Sequence, residues 1–370
     1  MPDRHVLFVR TDACTLDPRV RKEAETLTAA GYSVDVFGWD RRGEFPRREQ
    51  IAGVQYSRSR IPAPYGSRTL ALMMPLFWIR GVVEILRIRP EVIHACDFDA
   101  LVPALAARIV VRSKIVYDIF DTYAQKIGGV PAAVRRWLDR VDRLLMRHAD
   151  VVLVADAERA RQLEGVKVRA LEVIMNVPPD MGEPAILPAT QTLRLCYAGS
   201  IHEQRGLYLI AESTMGLEGV ETTFAGWIPR AVDREFLRRQ SHLRFLGRLE
   251  YHDSLELIRQ SNVVLALYDP AWPINVMASS NKVFEAMAAG RPVITNEETT
   301  MARIVREEDC GCLVPYGDPR ALQKAIRALQ VDPGLRDRLG ANGFLAFRKK
   351  YNWGIMNVRL LELYGRLIAQ

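Results

Sequence analysis

The chain has 370 residues, of which 49% are hydrophobic and 26% are charged, and its formal net charge is +7. These proportions exclude extended disorder, and the length suggests two domains. The positive charge favours anionic partners such as nucleotide phosphates, but no basic run with interleaved aromatic residues predicts a nucleic-acid site.

An odd number of scattered cysteines indicates reduced thiols. The N-terminus lacks the charged, apolar and small-residue segments that follow one another in a signal peptide. We therefore expect a cytoplasmic protein. Only Cys310 and Cys312 are close in sequence, without a second pair at zinc-ligand spacing, so no metal and no other cofactor is predicted. The cysteines are Cys14, Cys96, Cys196, Cys310 and Cys312.

The first half of the chain alternates β-branched runs with helical stretches, which is typical of βαβ units in a parallel sheet. Asp17 is predicted to cap the first helix, with Pro18 in its first turn and Gly31 at its end. Asp97 and Asp99 are predicted to cap a later helix. The predicted strands are HVLFVR, SVDVFGW, VIHAC, KIVYDIF, VVLVA and EVIMN.

The most apolar segment is TLALMMPLFWIRGVVEILRI, residues 69–88. Pro75 and Arg80 interrupt it, which makes it a poor membrane span. A helix with Phe77 and Trp78 beside arginines suits contact with a membrane surface, and packing between domains fits equally well. Both interpretations stay open from the sequence.

Periodicity stops at residues 176–192, where prolines accumulate as in a linker. A second alternation follows, with predicted strands LRLCYAG, VETTFAG, LRFLG, VVLALY, PVIT and CLVP, and with helices near 231–240, 253–261, 319–330 and 333–350. The predicted domains are residues 1–178, residues 179–352 and a final helix over residues 353–370.

The segment SSNKVFEAMAAGRPVIT contains a helix that follows a strand and a long loop. Ligands of open parallel sheets bind at the carboxyl ends of strands, and a helix start suits a phosphate. Ser279, Ser280, Asn281 and Lys282 would supply donors there. Glu285, one turn deeper, would accept hydrogen bonds from ribose hydroxyls. The alternative is an ordinary ion pair between Lys282 and Glu285 on a solvated helix.

Ala286 and Ala289 share the helix face of Lys282, and we expect these small residues to leave room for a ligand. A second phosphate signal lies in YAGSIHEQRGL, where a strand ends at Gly199 and Arg205 begins the next helix. Two basic helix starts on one sheet favour binding of a diphosphate.

These segments, together with DPRVRKEAETLTAAGYSVDV and VIHACDFDAL, occur in the order seen in family-4 (group 1) glycosyltransferases, which the chain resembles over nearly its whole length. The resemblance implies retaining enzymes of the GT-B fold. In that α/β fold two tandem Rossmann-like domains flank a central cleft, and a C-terminal helix returns to the N-terminal domain. It also implies a nucleotide-sugar site in the C-terminal domain, an acceptor site in the N-terminal domain and no bound metal.

Carried over to this chain, the resemblance places Arg205 and Lys282 on the diphosphate, Glu285 on the ribose, and Gly199 and Ser200 beside the phosphates. The chain departs from the family's Glu-x7-Glu motif because Met277 replaces its first glutamate, which in the family contacts the sugar. Nearby polar or aromatic candidates to replace it are Asp269, Trp272 and Asn275.

On the acceptor side, Asp118 and Asp121 follow a strand, where relatives commonly have a histidine that faces the reacting carbon. Both could instead be cap residues, and His94 could be a strand-end histidine bonded to the backbone. The catalytic candidates are Arg205, Lys282 and Asp121; the acceptor-side candidates are Asp17, Arg19, His94, Asp118 and Asp121.

The predicted function is transfer of a sugar from a nucleotide-diphosphate sugar to an acceptor hydroxyl, with retention, in glycan, polysaccharide or glycoconjugate biosynthesis. The acceptor could be a glycan, a lipid-linked molecule or a small molecule, and a lipid-linked one would place the protein at the inner face of the membrane. A non-catalytic GT-B nucleotide-binding protein and a sugar-nucleotide epimerase are the alternatives.

Overall fold

A computed structural model describes residues 4–14, 17–63, 69–121, 131–188 and 191–369. The chain forms two compact units, one made of Met1–Met175 with Met356–Gln370 and the other of Asn176–Ile355. Each unit is built on its own sheet. The prediction of two Rossmann-like α/β halves is therefore confirmed.

The sheet of the first unit has eight strands in the order β3-β4-β2-β1-β5-β6-β7-β8. All neighbours are parallel except β3 and β4, which form an antiparallel pair at one edge. That pair was not predicted, because its polar sequence lacks an apolar run. The strands are His5–Val9 (β1), Ser33–Trp39 (β2), Arg48–Ile51 (β3), Val54–Ser59 (β4), Val92–Cys96 (β5), Lys114–Ile119 (β6), Val151–Val154 (β7) and Leu171–Val173 (β8).

Helix α1 (Pro18–Ala29) begins and ends as predicted. The Asp17 carboxylate accepts hydrogen bonds from the N–H groups of Arg19 and Val20, and Gly31 takes φ +85° just after the helix. The other helices of this unit are α2 (Thr69–Ile88), α3 (Phe98–Arg108), α4 (Ala132–Leu145), α5 (Ala157–Gln162) and α14 (Trp353–Ala369), which belongs to this unit from Met356 onward.

Helix α2 turns its aromatic residues inward. The Phe77 ring is fully buried and stacks on Trp39 at 5.0 Å, and the Trp78 indole donates to the carbonyl of Asp99 at 2.8 Å. The interpretation that Phe77 contacts a membrane is therefore wrong, because the sheet covers its ring, while the partly buried Trp78 is held against α3. The side chains on the outer face of α2 are instead Leu72, Leu76, Ile79 and Val83.

The second unit has a six-stranded parallel sheet in the order β11-β10-β9-β12-β13-β14. Residues 174–188 and 191–192, which precede it, form neither helix nor strand, as the prolines predict. The strands are Leu193–Ala198 (β9), Val220–Ala225 (β10), Leu243–Phe245 (β11), Val263–Ala266 (β12), Val293–Asn296 (β13) and Gly311–Val314 (β14).

Helices cover both faces of this sheet and bury a leucine- and isoleucine-rich core. No helix in the described part of the chain combines the length and apolarity needed to cross a bilayer. The helices of the second unit are α6 (Leu207–Thr214), α7 (Ala231–Arg238), α8 (Tyr251–Arg259), α9 (Pro273–Val276), α10 (Asn281–Ala288), α11 (Thr300–Glu307), α12 (Pro319–Val331) and α13 (Pro333–Lys350).

Candidate functional site

The candidate donor site lies where the winding of the second sheet reverses. From β9 the chain first adds β10 and β11 on one side and later β12, β13 and β14 on the other. The carboxyl ends of β9 and β12 therefore flank a topological switch point, where open α/β sheets bind ligands. Gly199 and Arg205 follow β9, while Tyr268 and Lys282 follow β12.

Lys282 reaches across the switch point to the end of β9. Its Nζ atom lies 3.0 Å from where a Cβ atom on Gly199 would be, so only glycine leaves room for it there. The same Nζ atom lies 4.7 Å from the centre of the Tyr197 ring, whose hydroxyl donates to the Ser200 carbonyl at 2.8 Å. The structure thus brings Lys282, Gly199 and Ser200 together.

Arg205 lies on the same side and is partly buried in a short 3-10 turn, Glu203–Arg205. Its guanidinium carbon lies 4.5 Å from the centre of the Tyr268 ring. Partial burial and the Arg205 charge lower the pKa of the neighbouring His202 to about 4. His202 is therefore neutral in a positively charged region that suits an anion.

The start of α10 also faces this region. Ser280 is the N-cap residue, but its side chain makes no capping bond and lies instead 2.6 Å from the Tyr268 hydroxyl. The buried hydroxyl of Ser279 has no hydrogen-bond partner among the described residues. Asn281 and Lys282 complete the first turn and are partly buried. A helix start with an unused hydroxyl and a lysine is suited to phosphate oxygens.

Glu285 is only 7% exposed, so the alternative of an ion pair on a solvated helix is wrong. The Tyr251 hydroxyl hydrogen-bonds this carboxylate, and burial together with the Glu285 charge raises the pKa of Tyr251. Ala286 and Ala289 are also buried, because α8 and α13 pack on α10. The expectation that these alanines leave room for a ligand is therefore wrong.

Two of the three candidates near Met277 already use their polar side chains in hydrogen bonds to nearby backbone groups. Asn275 is buried and donates to the carbonyls of Gln204 and Asp269 at 3.1 and 3.0 Å. The Asp269 carboxylate accepts the N–H of Ala271 at 2.9 Å. Trp272 is the most exposed of the three candidates. Of these residues, Asn275 therefore holds the loop together through its amide.

In the first unit the winding reverses between β1 and β5, and charged residues meet at that point. The Arg10 guanidinium lies 2.7 Å from Asp17 and 3.6 Å from Asp97, and it stacks 3.9 Å from the centre of the Phe120 ring. Asp97 takes the N-cap position of α3, as predicted, but it has the unusual φ of +66° and its side chain makes no capping bond. Its carboxylate instead accepts the N–H of Phe120 at 3.0 Å.

Three acceptor-side candidates lie in one buried polar cluster. Arg19 holds both oxygens of Asp118 at 2.7 Å and donates to the Ile174 carbonyl at 2.6 Å. The His94 Nδ1 atom lies 2.7 Å from the Tyr364 hydroxyl of α14, so the partner of His94 is not the backbone. Burial alone would raise the pKa of Asp118, but Arg19 and His94 hold it below its usual range. These side chains are buried too deeply to touch a ligand in this arrangement.

Glu23 completes this cluster on the side of His94. One of its oxygens lies 3.2 Å from the Arg19 Nε atom and the other lies 3.4 Å from the His94 Nε2 atom. Burial and the charge of Asp118, opposed by Arg19, raise the pKa of Glu23 to about 7. Glu23, His94 and Asp118 are close enough to share a metal ion. Because Arg19 already occupies both oxygens of Asp118, the cluster fits the Arg19 guanidinium better than a metal ion.

Asp121 is the acceptor-side candidate that reaches the surface. Its side chain is 34% exposed and lies 2.7 Å from the Arg159 guanidinium. Arg159 also donates to the Phe120 carbonyl at 2.6 Å. The carboxylate is thus fixed at the carboxyl end of β6, while part of it stays accessible.

Sequence reasoning missed five residues that shape the two regions. No local pattern identifies them, because each acts through a neighbour that only the order of the strands supplies. The one partial signal is for Tyr268, which stands just past β12 with Leu267 between, near the carboxyl end of a strand where ligands bind. The missed residues are Arg10, Arg159, Tyr197, Tyr251 and Tyr268.

Two family models match the chain. The model "Glycosyl transferase 4-like domain" matches residues 16–178, and the model "Glycosyl transferases group 1" matches residues 192–332. The first corresponds to most of the first unit and the second to most of the second unit.

Curated relatives are distant. A phosphatidyl-myo-inositol mannosyltransferase of Mycobacterium leprae is 26% identical over 227 residues, which cover 58% of this chain and 58% of that protein. The chain thus spans less than two thirds of that relative. A glycogen synthase of Mycobacterium tuberculosis is 24% identical over 292 residues, which cover 75% of this chain and 69% of that protein.

Solved structures of glycosyltransferases have the same fold. Sucrose-phosphate synthase from Thermosynechococcus elongatus superposes with a TM-score of 0.82 at 20% identity, covering 99% of this chain and 100% of that one. Anabaena HepE in complex with UDP-glucose gives a TM-score of 0.71 at 13% identity, covering 98% and 99%. The fold is GT-B, as the resemblance implied. The two family models, which together span most of the chain, show that it belongs to the group 1 glycosyltransferases with a glycosyl transferase 4-like N-terminal domain.

Proposed function

We propose that the protein transfers a sugar from a nucleotide-diphosphate sugar to an acceptor hydroxyl, with retention and without a bound metal. The observation that carries this proposal is the pair of cations, Arg205 and Lys282, placed around Tyr268 at the switch point of the second sheet. HepE with UDP-glucose and a starch synthase with ADP, which share the fold, support a nucleotide donor.

The chemistry follows from the charges. When the bond between the sugar and the diphosphate breaks, negative charge grows on the β-phosphate while the sugar becomes oxocarbenium-like. Arg205, Lys282 and the first turn of α10 stabilise that charge more in the transition state than in the ground state. The Glu285 carboxylate, which is hydrogen-bonded to the Tyr251 hydroxyl, accepts hydrogen bonds from the ribose hydroxyls. The acceptor hydroxyl transfers its proton to the departing phosphate, so the step needs no strong protein base.

The donor site is tested by thermal shift with UDP, GDP, ADP and their glucose or mannose conjugates. A ligand at 100 times its dissociation constant stabilises the fold by about 2.7 kcal/mol, which is a shift of several degrees. Lys282→Ala and Glu285→Ala each remove most of this shift. Lys324→Ala, which deletes an exposed lysine of α12, is the matched control and keeps it.

Turnover distinguishes the proposed activity from its alternatives. Release of nucleoside diphosphate that depends on an acceptor supports transfer, and binding without turnover supports a non-catalytic nucleotide-binding protein. Interconversion of free sugar nucleotides supports an epimerase. If no nucleotide shifts the melting temperature, or if both site variants respond like the wild type, the proposed donor site is wrong.

We propose the first unit as the acceptor-binding part, with Asp121 as its reactive-site residue. Its partly exposed carboxylate and its fixed position at the end of β6 support this choice. Asp17, Arg19, His94 and Asp118 then contribute by supporting the strand ends rather than by touching the acceptor, because all four are buried or paired.

For the acceptor we propose a lipid-linked molecule, with α2 lying on an anionic membrane surface. Leu72, Leu76, Ile79 and Val83 recur every three or four residues and are 47% to 71% exposed. The exposed Arg80 adjoins this apolar stripe and complements anionic head groups. The Mycobacterium leprae relative carries a lipid, phosphatidyl-myo-inositol, in its name.

Sedimentation with vesicles tests the membrane surface. The wild type pellets with vesicles that contain phosphatidylglycerol at low salt and pellets less at high salt. Ile79→Glu stays in the supernatant. Leu345→Glu, at an exposed leucine of the second unit, is the matched control and pellets like the wild type. Equal sedimentation of both variants, or none for the wild type, contradicts this part of the proposal.

A further inference from the structure

Tyr268 lies between the two cations of the candidate donor site. The Arg205 guanidinium carbon is 4.5 Å from the centre of its ring, and the Lys282 Nζ atom is 5.4 Å from that centre. The Lys282 Nζ atom is also 3.5 Å from the Tyr268 hydroxyl. Two like charges on one aromatic ring repel each other, and the electron-rich face of the ring offsets part of that repulsion.

The position of this tyrosine is fixed from behind. The buried Asn296 of β13 accepts the N–H of Tyr268 at 2.9 Å and donates to its carbonyl at 3.0 Å. Tyr268 itself is 4% exposed. The two bonds fix the backbone of Tyr268 and burial restricts its ring, so the ring is a fixed contact for the two basic side chains.

The direction of the hydrogen bonds follows from the chemistry of the groups. An ammonium group only donates, so the Tyr268 hydroxyl accepts from Lys282. The Tyr268 and Ser280 hydroxyls lie 2.6 Å apart and either can donate, and an anion that accepts from Ser280 makes Tyr268 the donor of this pair. Burial raises the pKa of Tyr268, but Lys282 and Arg205 lower it below its usual value, which strengthens its hydroxyl as a donor.

We propose that Tyr268 is a positioning residue for the leaving diphosphate, which holds Arg205 and Lys282 at a fixed spacing and aligns the Ser280 hydroxyl toward the phosphate. This inference rests on the proposed function. Tyr197 does not have the same role, because its hydroxyl donates to the Ser200 carbonyl. Tyr268 is thus the side chain in contact with Arg205, Lys282 and Ser280 together.

The test compares calorimetric affinities for UDP, GDP and ADP with those for uridine, guanosine and adenosine. Tyr268→Phe keeps the ring and removes the hydroxyl, and we expect about tenfold weaker binding of the diphosphate, the effect of one hydrogen bond to a charged group. Affinity for the nucleoside stays unchanged. A general loss of packing would weaken both ligands, so the ratio of the two affinities isolates positioning.

Two further variants complete the test. Ser280→Ala breaks the same contact from the other side and should lower the diphosphate affinity to a similar extent, which covers the case in which Tyr268→Phe does not fold. Tyr208→Phe removes a tyrosine hydroxyl bonded to Asp233 at 2.8 Å and is the control that binds like the wild type. Unchanged diphosphate affinity in both Tyr268→Phe and Ser280→Ala overturns the inference. If the wild type binds none of the three diphosphates, the proposed function itself fails.

Discussion

The Nζ atom of Lys282 lies 3.0 Å from the point that a Cβ atom on Gly199 would occupy. The lysine comes from α10, the second helix after β12, and the glycine directly follows β9, so the two meet because these strands are neighbours. The position after β9 must therefore be glycine to leave space for the Lys282 side chain, whether or not a phosphate is bound.

Gly199→Ala should displace Lys282 and weaken binding of nucleoside diphosphates about tenfold or more, because the new methyl group takes the place of the amine. Gly199 also has φ +139°, which is strained for alanine. The control is Gly317→Ala, at φ +81° with no atom within 4 Å of the new Cβ, which carries backbone strain alone. Calorimetry that finds the same affinity in both variants would contradict the steric explanation.

Arg19→Met should destabilise the protein by about 3–5 kcal/mol, because it leaves the buried Asp118 carboxylate without its cation. Arg21→Ala on the same helix removes an exposed pair with Glu25 and should cost about 0.3–0.5 kcal/mol. Urea denaturation of the two variants measures both values. Similar decreases in the free energy of unfolding for both variants would show that burial does not determine how much each ion pair stabilises the protein.

The stability of the first unit should depend on the protonation of Asp142. This carboxyl group is buried, accepts a hydrogen bond from Tyr117 at 2.8 Å, and has a pKa raised to about 7, chiefly by burial. Because the folded pKa lies above the unfolded value of 3.8, the contribution to stability is full below that value and is lost as the pH rises toward about 7.

Asp142→Asn removes this titration and still accepts the bond from Tyr117. The stability of the variant relative to the wild type should therefore increase by about 1.4 kcal/mol per pH unit across that window. Denaturation at several pH values measures the difference. Glu235→Gln, at an exposed pair with Arg239 in the second unit, is the control with a flat difference. If the stability difference between Asp142→Asn and the wild type does not change with pH either, Asp142 is not the group that titrates in this range.

If Asp121 orients the acceptor hydroxyl, Asp121→Asn should lower kcat/KM about 100-fold, the order expected when a reacting group is misplaced by about 1 Å. Affinity for the nucleoside diphosphate should not change, because Lys282 and Arg205 belong to the other unit. Glu158→Gln, at an exposed pair with Arg161, is the control. A transfer rate equal to that of the wild type would remove Asp121 from the proposed site.

Most of the architecture follows from local signals in the sequence. The Asp17 cap, Pro18 and Gly31 define α1, and the alternation of apolar runs with helices specifies two parallel sheets. Lys282 and Arg205 were found because donors at helix starts have a recognisable pattern. Each of these signals involves only a few residues that are close in the chain, so it can be recognised from a single sequence.

The rest depends on which strands become neighbours. Tyr268 meets Arg205 because β12 pairs with β9, and Arg10 meets Asp97 because β5 pairs with β1. Helix α2 has apolar residues on both its buried and its exposed face, so its periodicity could not show that Phe77 packs inward and Ile79 outward. Long-range pairing decides such contacts, and local periodicity does not carry that information.

The hydrogen bond between His94 and Tyr364 joins residues 270 positions apart in the chain. During translation the first unit therefore emerges from the ribosome long before α14 is made, with the histidine side of its buried polar cluster uncovered. Its final packing waits until residue 364 has been made, and a nascent chain released earlier leaves an incomplete N-terminal unit for chaperones and proteases.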